Sequence, residues 1–256
     1  MNSNFIDFYK LYYRIKKMGW VKSMRKGYGG IGYTFETLIG KNEESFFLPD
    51  FKGIEIKTMR IHSRRNIHLF SAVPDGEFLF PMERLKNILG YPDKEFNMYK
   101  VLNKDLVCNY YTRIGYYKIA KLVVDRKNEK IYIDARNHLG KNLNVDVSWS
   151  FNLIKERLYY KLKKLVIIEA DSKCLKSIDY YYYKKINYYE LKSFECFLNL
   201  IENGTIKIGI KIGIKKDDKH LGEMKSRGGS FTISERDIQK LYKKVPLEYF
   251  EYQLLQ

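Results

Sequence analysis

Apolar positions along the chain follow two rhythms, and the switches between them mark the elements. In residues 5–18, Phe5, Phe8, Tyr9, Leu11, Tyr12 and Ile15 fall three and four apart with Lys and Arg between them, which predicts an amphipathic helix. A glycine-rich turn follows (Lys26-Gly27-Tyr28-Gly29-Gly30-Ile31-Gly32), and residues 33–39 predict a short helix stopped by Gly40. Residues 46–48 and 53–58 read as strands joined by a bend at Pro49-Asp50, and 66–73 as another strand. Residues 81–89 form a helix opened by proline and closed by Gly90. Residues 116–124 and 130–134 pair as a hairpin around Arg126-Lys127-Asn128. Ser150 caps a helix over 150–163, which feeds an apolar strand at 165–169. A helix is expected over 189–201, ended by Asn203-Gly204, and another over 234–244, capped by Ser234.

The clearest strand is 205–215. Ile206, Ile208, Ile210, Ile212 and Ile214 alternate with Thr205, Lys207, Gly209, Lys211, Gly213 and Lys215, giving one buried face and one basic face. The tyrosine runs at 180–183 and 188–189 read as half-buried strand residues, and Trp149 as a packing residue. Helices and strands interleave without a repeat of 20–50 residues or a Pro/Gly/Ser linker. The fold class is therefore mixed α/β (α+β): a single unit over 1–256, with lobes near 1–170 and 171–256.

Composition narrows the function. The 256 residues carry 47 Lys+Arg against 30 Asp+Glu, a net charge of +17, which implies a polyanionic partner, most often nucleic acid. Lys outnumbers Arg by 35 to 12, as a compositional bias alone would also produce, so charge cannot name the chemistry. The basic residues are spread along the chain rather than gathered on one amphipathic segment, which disfavours a membrane-surface role. With 16% aromatic residues the chain is expected to fold rather than stay disordered. No apolar run is long enough for a membrane span and the first residues do not resemble a signal peptide, so the cell interior, the cytoplasm, is the expected location. Cys108, Cys174 and Cys196 lie far apart, which excludes a disulfide scaffold and a thiolate zinc site. His62, His68, His138 and His220 lack metal-ligand spacing, and the glycine-rich turn lacks the lysine of a phosphate-binding loop.

Candidate chemistry lies around Pro49. Period two on a strand sends Glu55 and Lys57 to one face and Ile54 and Ile56 to the core. Asp50 stands at the bend, where a twisted hairpin brings it alongside Glu55. Two converging carboxylates, with the backbone carbonyl of Ile56 as a further ligand, make a hard oxygen site suited to Mg²⁺. The ion would stabilise charge on a phosphate and acidify a bound water, and Lys57 would orient that water. Glu36, on the helix just upstream, can reach the metal, Lys57 or a water. The bland alternative is a solvated Glu–Lys pair on a strand face.

The stretch Lys26-Gly27-Tyr28-Gly29-Gly30-Ile31-Gly32-Tyr33-Thr34-Phe35-Glu36-Thr37-Leu38-Ile39, followed by Leu48-Pro49-Asp50-Phe51-Lys52-Gly53-Ile54-Glu55-Ile56-Lys57-Thr58, resembles the MvaI/BcnI family of type II restriction endonucleases. These are relatives of the mismatch-repair nicking enzyme MutH within the PD-(D/E)xK nuclease fold. The similarity continues through Val147-Ser148-Trp149-Ser150-Phe151, residues 165–170 and residues 201–207, most of the chain. The resemblance implies a restriction-endonuclease-like core, a mixed sheet flanked by helices, with a DNA-recognition lobe. It implies Asp50, Glu55 and Lys57 as the catalytic set, assisted by Glu36, and hydrolysis of double-stranded DNA that leaves a 5′-phosphate. It also implies a monomer with one site per chain and a cognate DNA methyltransferase in the same system.

By the same resemblance, the strand 205–215 and the loop after it face the major groove, offering Lys207, Lys211, Lys215, Lys225, Ser226 and Arg227. Lys26 in the glycine-rich lead-in, and Arg64 and Arg65 beside His62, are further DNA contacts. The family pattern has a His-Asp-His run before the glycine where this chain has Lys225-Ser226-Arg227, so the target sequence is expected to differ. Arg and Lys suit guanine O6 and N7. A MutH-like nickase, a non-catalytic DNA-binding protein and a basic membrane- or RNA-associated protein stay open as alternatives at this point.

Overall fold

The computed structural model describes residues 3–41, 49–61, 63, 66–248 and 250. The strand expected at 46–48, and His62, Arg64 and Arg65, lie outside the described residues. The first third of the chain runs α1 (Ser3–Lys17), β1 (Val21–Lys22), α2 (Gly30–Leu38), β2 (Glu55–Arg60), β3 (Asn66–Ala72) and α3 (Pro81–Leu89). There follow β4 (Tyr91–Pro92), β5 (Lys100–Leu106), β6 (Thr112–Ile114), β7 (Lys118–Asp125), β8 (Lys130–Asn137), β9 (Ser148–Ser150) and α4 (Phe151–Lys161). The last part holds β10 (Lys164–Leu175), β11 (Ile178–Leu191), α5 (Phe194–Glu202), β12 (Ile206–Ile214), β13 (Met224–Ser234), α6 (Ile238–Leu241) and β14 (Tyr242–Val245). The mixed α+β class read from the sequence holds. No helix among the described residues is long and apolar enough to cross a membrane.

Two units interleave along the chain. The first comprises residues 1–65, 158–192 and 242–256, and the second 66–157 and 193–241. The lobe boundary placed near residue 170 falls inside β10.

In the first unit the strands order as β1-β11-β10-β2, with β14 also pairing β11; β2 runs parallel to β10 and the other pairs are antiparallel. α1 buries Phe5, Phe8, Tyr9, Tyr12 and Ile15, the stripe its spacing predicts. They join Ile31 and Phe35 of α2, Ile54, Ile56, Val166, Ile168 and the tyrosines of β11 in one core. Phe5 stacks on Tyr188 with ring centroids 4.0 Å apart, and Tyr183 meets Phe35 edge-on at 5.0 Å. Tyr181, Tyr183 and Tyr188 are thus strand residues, as read from the sequence, but fully buried in the core rather than half-buried.

Four expectations for this part of the chain are corrected. The helix expected at 33–39 begins at Gly30, inside the glycine run, where tight packing outweighs glycine's poor propensity: a β-carbon there would lie 2.7 Å from Ser23 Oγ and Tyr181 Oη. The strand at 165–169 extends to Leu175 and turns back through Lys176 and Ser177, both with positive φ (49° and 62°), as a two-residue hairpin requires. The helix expected from 189 starts only at Phe194, because Tyr188–Leu191 hydrogen-bond to β14; Ser193 Oγ then accepts from the Cys196 N–H (3.0 Å) and caps it. The helix expected at 234–244 shrinks to a 3-10 turn (Glu235–Asp237) and α6, and 242–245 become the strand that pairs with β11.

The second unit is built on antiparallel pairing, with sheets β3-β13-β12-β5-β4 and β6-β7-β8-β9. β7 and β8 pair from Lys118↔Asn137 to Asp125↔Lys130, the expected hairpin. β12 buries its isoleucines as the alternation requires. Trp149 is fully buried and donates Nε1–H to the Ala72 carbonyl (2.9 Å). α4 follows Ser150, whose Oγ accepts from the Leu153 N–H (3.2 Å), as the capping reading anticipated. One correction bears on recognition. Residues 225–228, read as a loop, lie in β13, where Lys225 pairs with Gly213 and Ser226 with Ile212. Their sequence has no strand periodicity; the cross-strand bonds to β12 make the strand.

Candidate active site

Asp50 reaches the centre of the site through a tight turn. Phe51 and Ile54 exchange backbone hydrogen bonds (3.0 and 2.8 Å) across Lys52 and Gly53, whose φ values are 41° and 86°. Two successive left-handed residues define the hairpin turn that matches strand twist, and glycine takes the second position without strain. Lys52 is held in this conformation by an ion pair to Asp7 (2.7 Å). The turn folds Asp50 back along β2, and its Oδ2 accepts the Ile56 N–H (2.8 Å).

β2 then presents Glu55 and Lys57 on one side and Ile54 and Ile56 to the core, as period two demands. Lys57 Nζ donates to Glu55 Oε1 at 2.5 Å. This is not a solvated surface pair: Glu55 is 1% exposed. Its Oε2 is buried and has no hydrogen-bond partner among the described residues. Burial pushes the Glu55 carboxyl above the usual carboxylate range, with Lys57 and Lys161 opposing and Asp50 adding to the rise.

Two lysines missed in the sequence complete the site. Lys161 ends α4, just before β10 pairs with β2 (Leu165↔Glu55), and its Nζ stands 3.6 Å from Glu55 Oε1. Lys41 pairs closely with Asp50 Oδ1 and lies 3.6 Å from Glu36 Oε2. Burial alone would lower the Lys41 ammonium's pKa, but Asp50 and Glu36 more than offset it, leaving it above the ordinary lysine value. Glu36 joins the cluster from α2 as expected; burial raises its carboxyl, and Asp50 adds to that while Lys41 and Lys57 oppose it.

Among the described residues no group of three or more His, Cys, Asp and Glu side chains forms a metal cluster. The oxygens of Asp50 and Glu55 nevertheless fit a hard divalent cation. A buried carboxylate oxygen without a donor is costly, and a cation removes that cost.

The residues expected to face DNA divide. In the second unit, Lys211, Lys225, Ser226 and Arg227 line one concavity of about 720 Å³, together with His68, Ser71 and Asn103. Lys207 and Lys215 are not among its lining; Lys215 is paired with Glu223 at 2.6 Å. Lys26 is exposed in the bend before α2, in the first unit. No local pattern singles out Ser71 and Asn103. They become neighbours only when β3 and β5 flank the β12–β13 pair.

A mixed sheet whose edge strand carries a buried glutamate against a lysine, with an aspartate folded back beside them, is the framework of a restriction endonuclease. The chain belongs to the MvaI/BcnI restriction endonuclease family, whose model matches residues 10–242. It is accordingly a type II site-specific deoxyribonuclease. Among solved structures, the restriction endonuclease MvaI in complex with its cognate DNA matches with a TM-score of 0.84 at 27% identity, over 94% of this chain and 97% of that one. MvaI in the absence of DNA matches with a TM-score of 0.60 at 27% identity, over 92% and 94% of the two chains. No curated protein matches at a significant level.

Proposed function

We propose that this enzyme cuts double-stranded DNA in a Mg²⁺-dependent reaction at the Asp50–Glu55–Lys57 site, and reads its target with the basic concavity of the second unit. The observation that carries this reading is the buried Glu55, with one oxygen bound to Lys57 and the other without a donor among the described residues. Asp50, Glu55 and the Ile56 carbonyl would hold the ion. When bound, Mg²⁺ supplies charge stabilisation at the scissile phosphate and lowers the pKa of water. Lys57, fixed by Glu55, orients the attacking water and stabilises the hydroxide as it forms. The water attacks phosphorus in line as the P–O3′ bond breaks, giving a 5′-phosphate and a 3′ oxygen that takes a proton from solvent to become the 3′-hydroxyl. Glu36, at the edge of the cluster, positions Lys41 and solvent.

Lys211, Lys225, Ser226 and Arg227 are assigned to the groove, with Arg227 on a guanine edge. Lys207, Lys215, Lys26, Arg64 and Arg65 are assigned to phosphates, where position rather than sequence is read. The enzyme acts as a monomer in the cell interior, beside a methyltransferase that protects the same target.

Digestion of plasmid and phage DNA with Mg²⁺, and again with EDTA, tests the reading. Discrete fragments that vanish with EDTA are expected, with Asp50→Ala binding duplex DNA but leaving it uncut. Relaxed circles alone would point to a nickase. Normal cleavage by Asp50→Ala would remove the site from this pair of acids.

A further inference from the structure

Asp50 and Glu55 differ in what their oxygens already hold. Lys57 and Lys161 both approach Glu55 Oε1, and Oε2 has no hydrogen-bond partner among the described residues. Both Asp50 oxygens are engaged: Oδ2 accepts the Ile56 N–H and Oδ1 is held by Lys41.

The position of Lys41 is built into the backbone. α2 ends with Gly40 at φ 77°; the Gly40 N–H donates to the Thr37 carbonyl (3.0 Å), and the Lys41 N–H to the Glu36 carbonyl (2.9 Å). This paired pattern is a Schellman ending, which turns the chain sharply and leaves the residue after the glycine beside the last helical turn. Lys41 therefore returns toward Glu36 whatever its ammonium does. The side chains of Lys41 and Asp50 are 20% and 8% exposed, so the pair is partly removed from water.

We propose that Lys41 is a built-in counter-ion, which neutralises Asp50 in the metal-free enzyme and which the divalent ion must displace. The inference rests on the reading of Asp50 and Glu55 as the metal-holding pair. Among the described residues of the cluster, Glu36, Asp50 and Glu55 supply three negative charges, and Lys41, Lys57 and Lys161 three positive ones. These described charges already balance, and a dication added to them without displacement would leave two uncompensated positive charges around buried carboxylates, a costly state. A dication and an ammonium on the same oxygen also repel each other. Release of Lys41 frees Oδ1, and the incoming phosphodiester supplies further negative charge. Metal affinity is consequently held down until DNA arrives.

Calorimetric titration of the full chain with Mn²⁺, without DNA, tests this. Lys41→Gln is expected to bind Mn²⁺ about tenfold tighter than the unmodified protein, as removal of one competing, partly buried charge allows. Lys41→Arg, which keeps the charge, is expected to gain nothing. Lys41→Gln affinity that is unchanged or weaker, while Asp50→Asn abolishes binding, overturns the counter-ion role and leaves the metal site standing. Asp50→Asn binding like the unmodified protein overturns both. A second measurement needs no variant. Acylation of Lys41 by acetic anhydride should accelerate several-fold on Mn²⁺ saturation, as the ammonium leaves Asp50; an unchanged rate overturns the proposal.

Discussion

Glu55 is 1% exposed and faces two ammonium groups, whereas Arg227, on the other unit, borders an open concavity of about 720 Å³ beside Lys211 and Lys225. The first unit draws charges inward until they neutralise one another. The second leaves its cations where solvent screens them until a polyanion arrives. Concentrated charge carries a desolvation cost, which the proposed catalytic role of Asp50, Glu55 and Lys57 would offset because fixed dipoles and ions act strongly in a dry site. Exposed charge costs little and serves encounter and selection. Substitutions in the first unit should therefore change rate, and those in the second should change affinity and its dependence on salt.

The largest effect is expected from Glu55→Gln, which keeps the shape but not the charge. Cleavage should fall by about 10³-fold, the loss of several kcal/mol of transition-state stabilisation, measured as single-turnover rate at saturating Mg²⁺. Its effect on metal-free stability has the opposite sign. Burial raises the Glu55 pKa, so above the ordinary value of 4.5 the folded protein holds a proton that the unfolded chain has lost. Stability then falls as pH rises from the ordinary value through the raised one. Glu55→Gln should escape that fall and melt at a higher temperature than the unmodified enzyme at neutral pH, without metal. A lower melting temperature across the whole pH range would mean that the site is not electrostatically strained.

Next in size, Arg227→Ala should lose about 1–3 kcal/mol of binding on cognate DNA and less on random duplex, the mark of a base contact. Lys207→Ala should weaken both equally and reduce the log–log salt slope by about 0.9 if it neutralises one phosphate. Equal losses for both variants on both DNAs would erase the distinction between reading and positioning. Gly53→Ala places a β-carbon at φ 86°, where space is open but the backbone is strained. A cost of about 1–2 kcal/mol is expected in denaturant unfolding, with cleavage reduced further because the turn positions Asp50.

The smallest effect concerns exposed charge in the second unit. Arg126 pairs with Glu195 and Glu202 (2.6 and 2.9 Å), and its hydrogen bond holds the Glu202 carboxyl below its usual range. That stabilisation is present above the ordinary glutamate value and is lost as pH falls through the lowered one. Arg126→Ala should therefore cost about 0.2–1 kcal/mol near neutral pH, with the difference in melting temperature closing in acid.

Local signals were legible in the chain. Alternating isoleucines marked β12, Ser150 marked the start of α4, and the spacing of Asp50, Glu55 and Lys57 placed the acids because a short turn and a period of two are chain-local rules. What failed required partners. Tyr189 and Leu191 sit at spacings that suit either helix or strand, and pairing with β14 decides for strand. Residues 225–228 have no alternation of their own, unlike Phe231 and Ile233 further along the same strand, and β12 supplies their register. Lys161 reaches Glu55 only because α4 delivers the chain to the start of β10, and Lys41 because of the turn that ends α2. In a sequence this rich in lysine, nothing distinguishes those two from the rest.

β2 pairs in parallel with β10, and residues 61–163 are made between them. Such a pairing must await synthesis of everything in between, and closing so long a loop makes it slow to nucleate. During translation Glu55 therefore emerges early but gains its neighbours Leu165 and Lys161 only after most of the second unit has left the ribosome. A half-made chain holds Glu55 without those neighbours, and the proposed cutting site is complete only when synthesis is well advanced.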